Sequence, residues 1–339
     1  MGVTEQLRGG QEIMREITYA DALNEALREE MERDPRIVLL GEDIGEYGGV
    51  FKVTRGLLDA FGPDRVRDTP ISETGFIGAA IGMAMTRMRP VVEVMWVDFT
   101  LVAMDQILNQ AAKLRYMSGG QARVPLVIRT QQGGGRGNGA QHSQSLEVLF
   151  AHIPGLKVVL PATPRDAKGL LKFALRQDDP TVFLEHKMLY FTRGEVPDEE
   201  YVIPFGQAEV VVPGSDITIV SWSRSLLRAV EAAQALRDDG IAAEVIDLRT
   251  LVPLDMETIY RSVRKTNRLV VVHEAHRSFG PGAEIAARVQ EELFTELDAP
   301  VTRIATPDIP IPYSRAVEAA ILPSTQTIIE AVRSTLARV

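Results

Sequence analysis

The sequence predicts an α/β protein of two domains, each a mostly parallel sheet flanked by helices. Short β-branched runs bounded by Gly or Pro alternate with helical patterns, as strand–helix–strand units require. The 339 residues are enough for two sizeable cores. The alternation breaks once, between about Tyr190 and Gln207, where Gly194, Pro197, Pro204 and the acidic run Asp198-Glu199-Glu200 read as an exposed connection. The expected division is an N-terminal extension over 1–16, a first domain over 17–190, a linker over 191–207 and a second domain over 208–339.

The elements follow in order. Thr18 reads as the N-cap of a first helix, with Asp21 in the first turn and Tyr19, Ala22, Leu23, Ala26 and Leu27 on one face. Arg36–Leu40 reads as a buried strand ending at Gly41, and Arg89–Met95 as a second. A long helix is expected from about Thr100 to Met117, with Leu101, Met104, Ile107, Leu108, Ala111 and Leu114 apolar. Val124–Arg129 is a third strand, opening into a glycine-rich loop over Gly133–Gly139. Leu156–Leu160, a helix over Thr163–Arg176 and a strand over Thr181–Glu185 complete the first unit. The second has strands at Asp216–Val220, Ala243–Leu248, Arg268–Val272 and Val301–Ile304, and a last helix over Ser324–Ala337.

Composition excludes several chemistries. A net charge of −9 argues against a nucleic-acid surface or an anionic-membrane patch. With no cysteine there is no disulfide, thiolate catalysis or Cys-ligated metal. No apolar run reaches the roughly 18–20 residues of a membrane span. Met1–Glu16 mixes acids with Arg8 and Arg15, unlike a signal or transit peptide, so a cytoplasmic protein is expected.

Asp68–Gly82 sets Glu73 between Pro70 and a helix start rich in Gly and Ala, where small residues admit a close backbone or a flat ligand. Glu73 there is either a helix-terminal carboxylate or an acid/base, and the residues leave both open. The loop Gln132–Ser143 follows a strand but lacks the Lys-Ser/Thr of a phosphate loop and the spacing of a dinucleotide fingerprint. His142 at its end is an acid/base or substrate-orienting candidate, against a histidine on a mobile loop. Phe99 is core packing or a stacking surface, and Tyr47, among glycines, could line a pocket. His152, His186, His273 and His276 show no metal spacing.

Ordered runs then carry a resemblance from about Ile17 onward: Leu40-Gly41-Glu42-Asp43, Tyr47-Gly48-Gly49, Val53–Leu57, Asp68–Phe76, Asp105-Gln106-Ile107, Tyr116–Gly120, Gln141–Glu147, Pro154–Val159, Asp166–Leu170 and Val245–Thr250. The chain resembles the β subunits of thiamine-diphosphate-dependent 2-oxo acid dehydrogenase E1 components. The resemblance implies a thiamine-diphosphate pyrimidine-binding domain followed by a transketolase C-terminal-like domain. It implies that the water-shielded Glu73 carboxyl shares a proton with the cofactor's aminopyrimidine and that Phe99 stacks on that ring. His142 is implied near substrate and lipoyl group, with Tyr47 and Glu42 by the site. Some members hold a potassium ion at positions matching Leu126, Ala174, Leu175, Gln177 and Asp179, with Gln177 replacing a common acid.

The Gly-Asp-Gly motif that holds Mg2+ and the diphosphate in such enzymes occurs nowhere in this chain. An α subunit is therefore expected to supply it, in an α2β2 heterotetramer that serves a lipoyl-bearing E2 acyltransferase. The second domain is read as an association and docking module or as a scaffold. Pyruvate is the first substrate expectation, acetoin and a branched-chain 2-oxo acid the alternatives. A non-catalytic assembly subunit and a self-sufficient thiamine enzyme are the readings of another kind.

Overall fold

The structure, a computed structural model, describes residues 13–338. β1 (Met14–Thr18) runs into α1 (Tyr19–Arg33), and the Thr18 Oγ1 accepts from the Asp21 N–H at 3.1 Å as the cap predicts. β2 (Ile37–Gly41), α2 (Leu57–Phe61), β3 (Val66–Asp68), α3 (Glu73–Met85) and β4 (Arg89–Val94) follow. After α4 (Leu114–Met117) come β5 (Val127–Gln132), α5 (Glu147–Ala151), β6 (Lys157–Val159), α6 (Pro164–Arg176), β7 (Thr181–His186) and β8 (Arg193–Pro197). β6, β7, β5, β4, β2 and β3 lie side by side, all parallel. Their residues are almost all buried, as strands covered on both faces must be. α1 and α6 cover one face together, and the buried ammonium groups of Lys168 and Lys172 reach Glu29 at 2.6 Å each.

The second domain holds β9 (Glu209–Val212), β10 (Ile217–Ser221), α7 (Ser223–Asp238), β11 (Ala243–Asp247), β12 (Thr250–Val252), α8 (Met256–Thr266), β13 (Leu269–His276), α9 (Pro281–Leu293), β14 (Thr302–Thr306), α10 (Arg315–Ile321) and α11 (Thr325–Leu336). Its sheet runs β14-β13-β10-β11-β9, parallel except for β9. Among the described residues no helix is long and apolar enough to cross a membrane.

Three expectations need correction. The helix expected over 100–117 is a 3-10 segment (Val97–Ala103), a π-helical segment (Gln106–Ala111) and the short α4. The buried positions Val97, Thr100 and Ala103 recur every three residues, the 3-10 period, whereas Ile107 and Ala111 are four apart. Leu101, counted on the apolar face, is therefore exposed. The third strand begins at Val127 rather than Val124, beyond Pro125, which has no N–H to donate. The segment read as an exposed connection contains β8, antiparallel to β1, with Val196 and Ile203 buried. Residues 1–12 of the expected N-terminal extension lie outside the described residues.

The two domains share a core. β12 crosses over to pair antiparallel with β6, and one apolar cluster joins Phe76, Val92 and Leu160 to Trp222, Leu248 and Ile285. The Trp222 Nε1 donates to the Glu147 Oε1 across the seam at 3.3 Å. The His273 ring stacks on Trp222, centroids 5.3 Å apart, and neither of its nitrogens has a partner among the described residues. Burial lowers its pKa from 6.5 to about 4. Below pH 6.5 the unfolded chain binds this proton and the folded chain does not. Stability should therefore fall as pH drops from 6.5 to 4, by up to about 3 kcal/mol from this group. Urea unfolding of His273→Phe, which keeps the stack, should show a shallower loss over that window than the wild-type chain; an unchanged slope would refute the assignment.

Candidate active site

Parallel strands present their C-terminal ends along one edge, where sheets of this kind bind ligands. Glu42 follows β2, Trp96, Asp98 and Phe99 follow β4, the glycine-rich loop with His142 follows β5, and Lys187 follows β7. Glu73 opens α3 just beyond β3.

Glu73 is buried, at 7% exposure, and makes no hydrogen bond or ion pair among the described residues. A Cβ on Gly75 would meet the Ser72 Oγ at 2.8 Å, and one on Gly78 would meet Gln106 of the π-helical segment at 3.3 Å. Gly78 thus lets α3 lie against that segment, and the Thr74 hydroxyl donates to the Val102 carbonyl of the 3-10 segment at 2.7 Å. Gly82 faces open space. Burial, with the nearby Glu73 charge, raises the Glu42 pKa, and the Glu42 Oε1 is buried without a partner. Two carboxyls with uncommitted oxygens thus lie near one another at this edge.

Phe99 and His142 meet edge to face, centroids 5.3 Å apart, and Trp96 takes the other contact of the imidazole at 5.4 Å. Phe99 is half-buried, which leaves part of its ring for a flat ligand. The Gln144 side chain donates to Asp98 at 2.7 Å, and burial raises the Asp98 pKa. The Lys187 ammonium donates to the His142 carbonyl and lies 4.9 Å from the centroid of the Trp96 ring.

The glycine-rich loop is anchored from the second domain. The Gly134 N–H donates to Glu274 at 3.2 Å, the Gly137 N–H to Glu318 at 2.8 Å, and the Arg224 guanidinium to the Gly134 carbonyl at 3.2 Å. Burial opposes the Glu274 charge, yet His186 and Arg224 beside it bring its pKa down to about 2. His186 accepts the Met188 N–H at its Nδ1 and so donates from Nε2 to Glu274 at 2.9 Å, as the neutral tautomer. Burial lowers its pKa in the same sense. Gly133, at φ +88°, has no room for a Cβ, which would fall 2.0 Å from the His186 Nε2.

Beneath these ends lies the fully buried Arg129 of β5. Its guanidinium donates to Glu185 of β7 at 2.7 and 2.8 Å and to Glu93 of β4 at 2.8 Å, and the Tyr190 hydroxyl donates to Glu185 at 2.6 Å.

Glu42 and Glu73 thus come together, as do Phe99 and His142. Tyr47 is exposed, its ring faced by the Lys52 ammonium at 3.3 Å, and it makes no hydrogen bond or ring contact with Glu73, Phe99 or His142. The groups at the five positions matched to potassium, Leu126, Ala174, Leu175, Gln177 and Asp179, already have protein partners. The Arg89 guanidinium donates to the Leu175 carbonyl at 2.8 Å and to the Gln177 carbonyl. The Leu126 and Ala174 carbonyls accept backbone N–H groups, and Asp179 pairs with Arg115. Sequence reasoning missed Lys187, Glu274 and Glu318; a lysine directly after a buried parallel strand was the one available signal.

A concavity of about 880 Å3 lies elsewhere: Met104, Leu108, Leu149, Leu251, Phe279 and Ile285 line it at the domain junction. None of Glu42, Glu73, Phe99 and His142 lines it.

Residues 15–192 match the family model described as transketolase, pyrimidine binding domain, and residues 206–328 the one described as transketolase, C-terminal domain. The pyruvate dehydrogenase E1 component subunit beta-2, mitochondrial, of Oryza sativa subsp. japonica is 49% identical over 94% of this chain and 86% of its own length. The acetoin:2,6-dichlorophenolindophenol oxidoreductase subunit beta of Cupriavidus necator is 49% identical over 95% of this chain and 98% of its own. The pyruvate dehydrogenase E1 component subunit beta of Rickettsia felis is 48% identical over 94% and 98%. A solved structure titled split gene transketolase, inactive beta4 tetramer, superposes with a TM-score of 0.79 at 24% identity, over 95% of this chain and 99% of that one, a likeness of fold.

Two outcomes follow from these anchors. Glu318→Ala should speed amide hydrogen exchange over residues 133–142 at least tenfold while β4 and β5 stay protected; unchanged exchange would mean the carboxylate does not hold the loop. Because Arg89 already supplies positive charge to two of the carbonyls, replacing potassium by sodium should leave the thermal midpoint of the chain within about 1 °C.

Proposed function

Since the chain belongs to the transketolase-like family that includes pyruvate dehydrogenase E1 β subunits, we propose that it works as the E1 β subunit of a 2-oxo acid dehydrogenase complex acting on pyruvate. One observation carries the reading: Glu73, a buried carboxyl without a hydrogen-bond partner among the described residues, stands near a second acid on the ligand-binding edge that also carries the half-buried Phe99 and His142.

These residues fit thiamine diphosphate. Thiamine diphosphate, when bound, supplies a nucleophilic carbon and an electron sink for cleaving the bond next to a carbonyl. Glu73 would hold a proton between its carboxyl oxygen and a ring nitrogen of the aminopyrimidine. Its burial keeps water from competing for that proton. Phe99 would cover one face of the ring. The His142 imidazole, steadied by Trp96 and Phe99, would orient the substrate carbonyl and pass a proton at a ring nitrogen. Glu42 adds a carboxyl that can exchange a proton with Glu73.

The missing Gly-Asp-Gly supports a division of labour in which an α subunit holds the diphosphate and Mg2+, in an α2β2 heterotetramer. In that division the far wall of the site around Glu73 belongs to α. The product would be handed to the lipoyl group of an E2 acyltransferase, and a cytoplasmic location is part of the same proposal. Acetoin cleavage is the second reading, supported by the 49% identity to the Cupriavidus necator subunit and by the run Gly139–Glu147.

In the enzyme reconstituted with its α subunit, Glu73→Gln should lower decarboxylation by about 10²–10³-fold with an unchanged melting midpoint. Near wild-type turnover would leave the chain as a non-catalytic assembly subunit. The chain without α should turn over neither pyruvate nor acetoin, and measurable turnover would overthrow the division of labour. The kcat/KM for pyruvate should exceed that for acetoin; the reverse ranking selects the second reading.

A further inference from the structure

Lys187 is, among the described residues, the one fully buried cation at the ligand-binding edge whose work the proposed reaction leaves unexplained. Its residue exposure is 0%, and it stands immediately after β7, next to His186. Burial pushes the pKa of its ammonium down from 10.5 to about 8, against the opposing pull of Asp98, Glu318 and Glu274. Leaving a lysine so desolvated costs stability, and an apolar side chain of similar length would avoid that cost. Something at this place uses the donor.

The hydrogen bonds show what it touches. The Lys187 Nζ donates to the main-chain carbonyl of His142 and lies over Trp96, the ring against which the imidazole packs. Further restraints act on residues around His142: Gln144 is tied to Asp98, and the Gly133 N–H donates to the Gln144 carbonyl at 2.9 Å. On its N-terminal side the loop carries Gly133, Gly135, Gly137 and Gly139, all at positive φ, so its backbone supplies little stiffness of its own. His142 itself is held through its carbonyl, through its ring and through its backbone N–H, which donates to the Gly139 carbonyl at 3.4 Å within the same glycine-rich loop.

We propose that Lys187 is a positioning residue for His142, holding the imidazole between Trp96 and Phe99 through the His142 carbonyl without itself touching the substrate. This rests on the role proposed above for His142. A reacting group misplaced by about 1 Å can cost on the order of 100-fold, so a donor outside the reacting centre can still govern the rate. Lys187 is a better anchor than a neutral donor because a charged N–H makes the stronger bond to a carbonyl.

The test is a double-mutant cycle in the reconstituted α/β enzyme with His142→Ala, Lys187→Met and the double variant. Each single change should lower kcat/KM for pyruvate at least tenfold. The double variant should fall within threefold of His142→Ala, because Lys187 acts only through that histidine. Lys187→Gln, which keeps a neutral donor, should recover part of the loss, and it replaces Lys187→Met in the cycle if the latter does not fold. A readout independent of turnover is the NMR spectrum of the chain labelled at histidine. The His142 ring protons should carry ring-current shifts from Trp96 and Phe99 that Lys187→Met abolishes. Wild-type activity in the Lys187 variants, full additivity with His142→Ala, or unmoved His142 resonances would each overturn the proposal. Unimpaired turnover by His142→Ala alone would instead remove the role assigned to His142, and the positioning role with it.

Discussion

The Arg129 guanidinium, fully buried in the middle of the first sheet, bridges the carboxylates of Glu93 and Glu185 on the strands to either side. A charge in that position is tolerable only with every donor satisfied, and removing one partner of such a cluster typically costs about 3–5 kcal/mol. The bridge ties β4, β5 and β7 together one layer below the loops that carry Phe99, His142 and Lys187. Phe99 meets the His142 ring and Lys187 the His142 carbonyl above the sheet because the strands beneath them keep their register. Glu93 also faces Gly41, where a Cβ would sit 2.7 Å from its carbonyl oxygen, so the end of β2 that leads into Glu42 is seated on the same cluster.

A second constraint comes from the other domain. The glycine-rich loop is bonded to Glu274 and Glu318, which lie on β13 and α10. Together with β12 in the first sheet and Trp222 against Glu147, these contacts make the second domain part of the site's framework. The same carboxylates act on Lys187, so the field around His142 is set by both domains. The reading of the second domain as a scaffold and the reading of it as an association module are therefore joined by a third duty, the support of a loop in the first domain.

Much of the candidate site was legible from residues close together in the chain. Glu73 stood out because Pro70, Gly75 and Gly78 surround it within one short run, and each has a local reason to be small or rigid. His142 and Phe99 were legible as polar and aromatic residues just past strand ends. The helix expected over 100–117 was misjudged because an apolar count at α-helical spacing does not register a three-residue period that changes to four within one segment. The connection over 191–207 was misjudged because Gly, Pro and acid punctuate an edge strand as readily as a loop. Tyr47 sits among glycines that expose it to solvent, and the five positions matched to potassium hold a guanidinium that no inspection of those positions alone would find.

By itself the sequence determined the α/β class, the alternation of strands and helices, the placing of Glu73 at a helix start, and the absence of a Gly-Asp-Gly motif. Each of these depends on residues a few positions apart, where propensity, capping and hydrophobic period act. The tertiary structure alone decided that Lys187 would reach His142 from 45 residues away. It alone decided that Glu274 and Glu318 would hold Gly134 and Gly137 across 140 and 181 residues. Such contacts arise when two sheets pack and bring distant loops to one edge, and nothing in the local pattern of a lone buried lysine or glutamate says which backbone group it will meet.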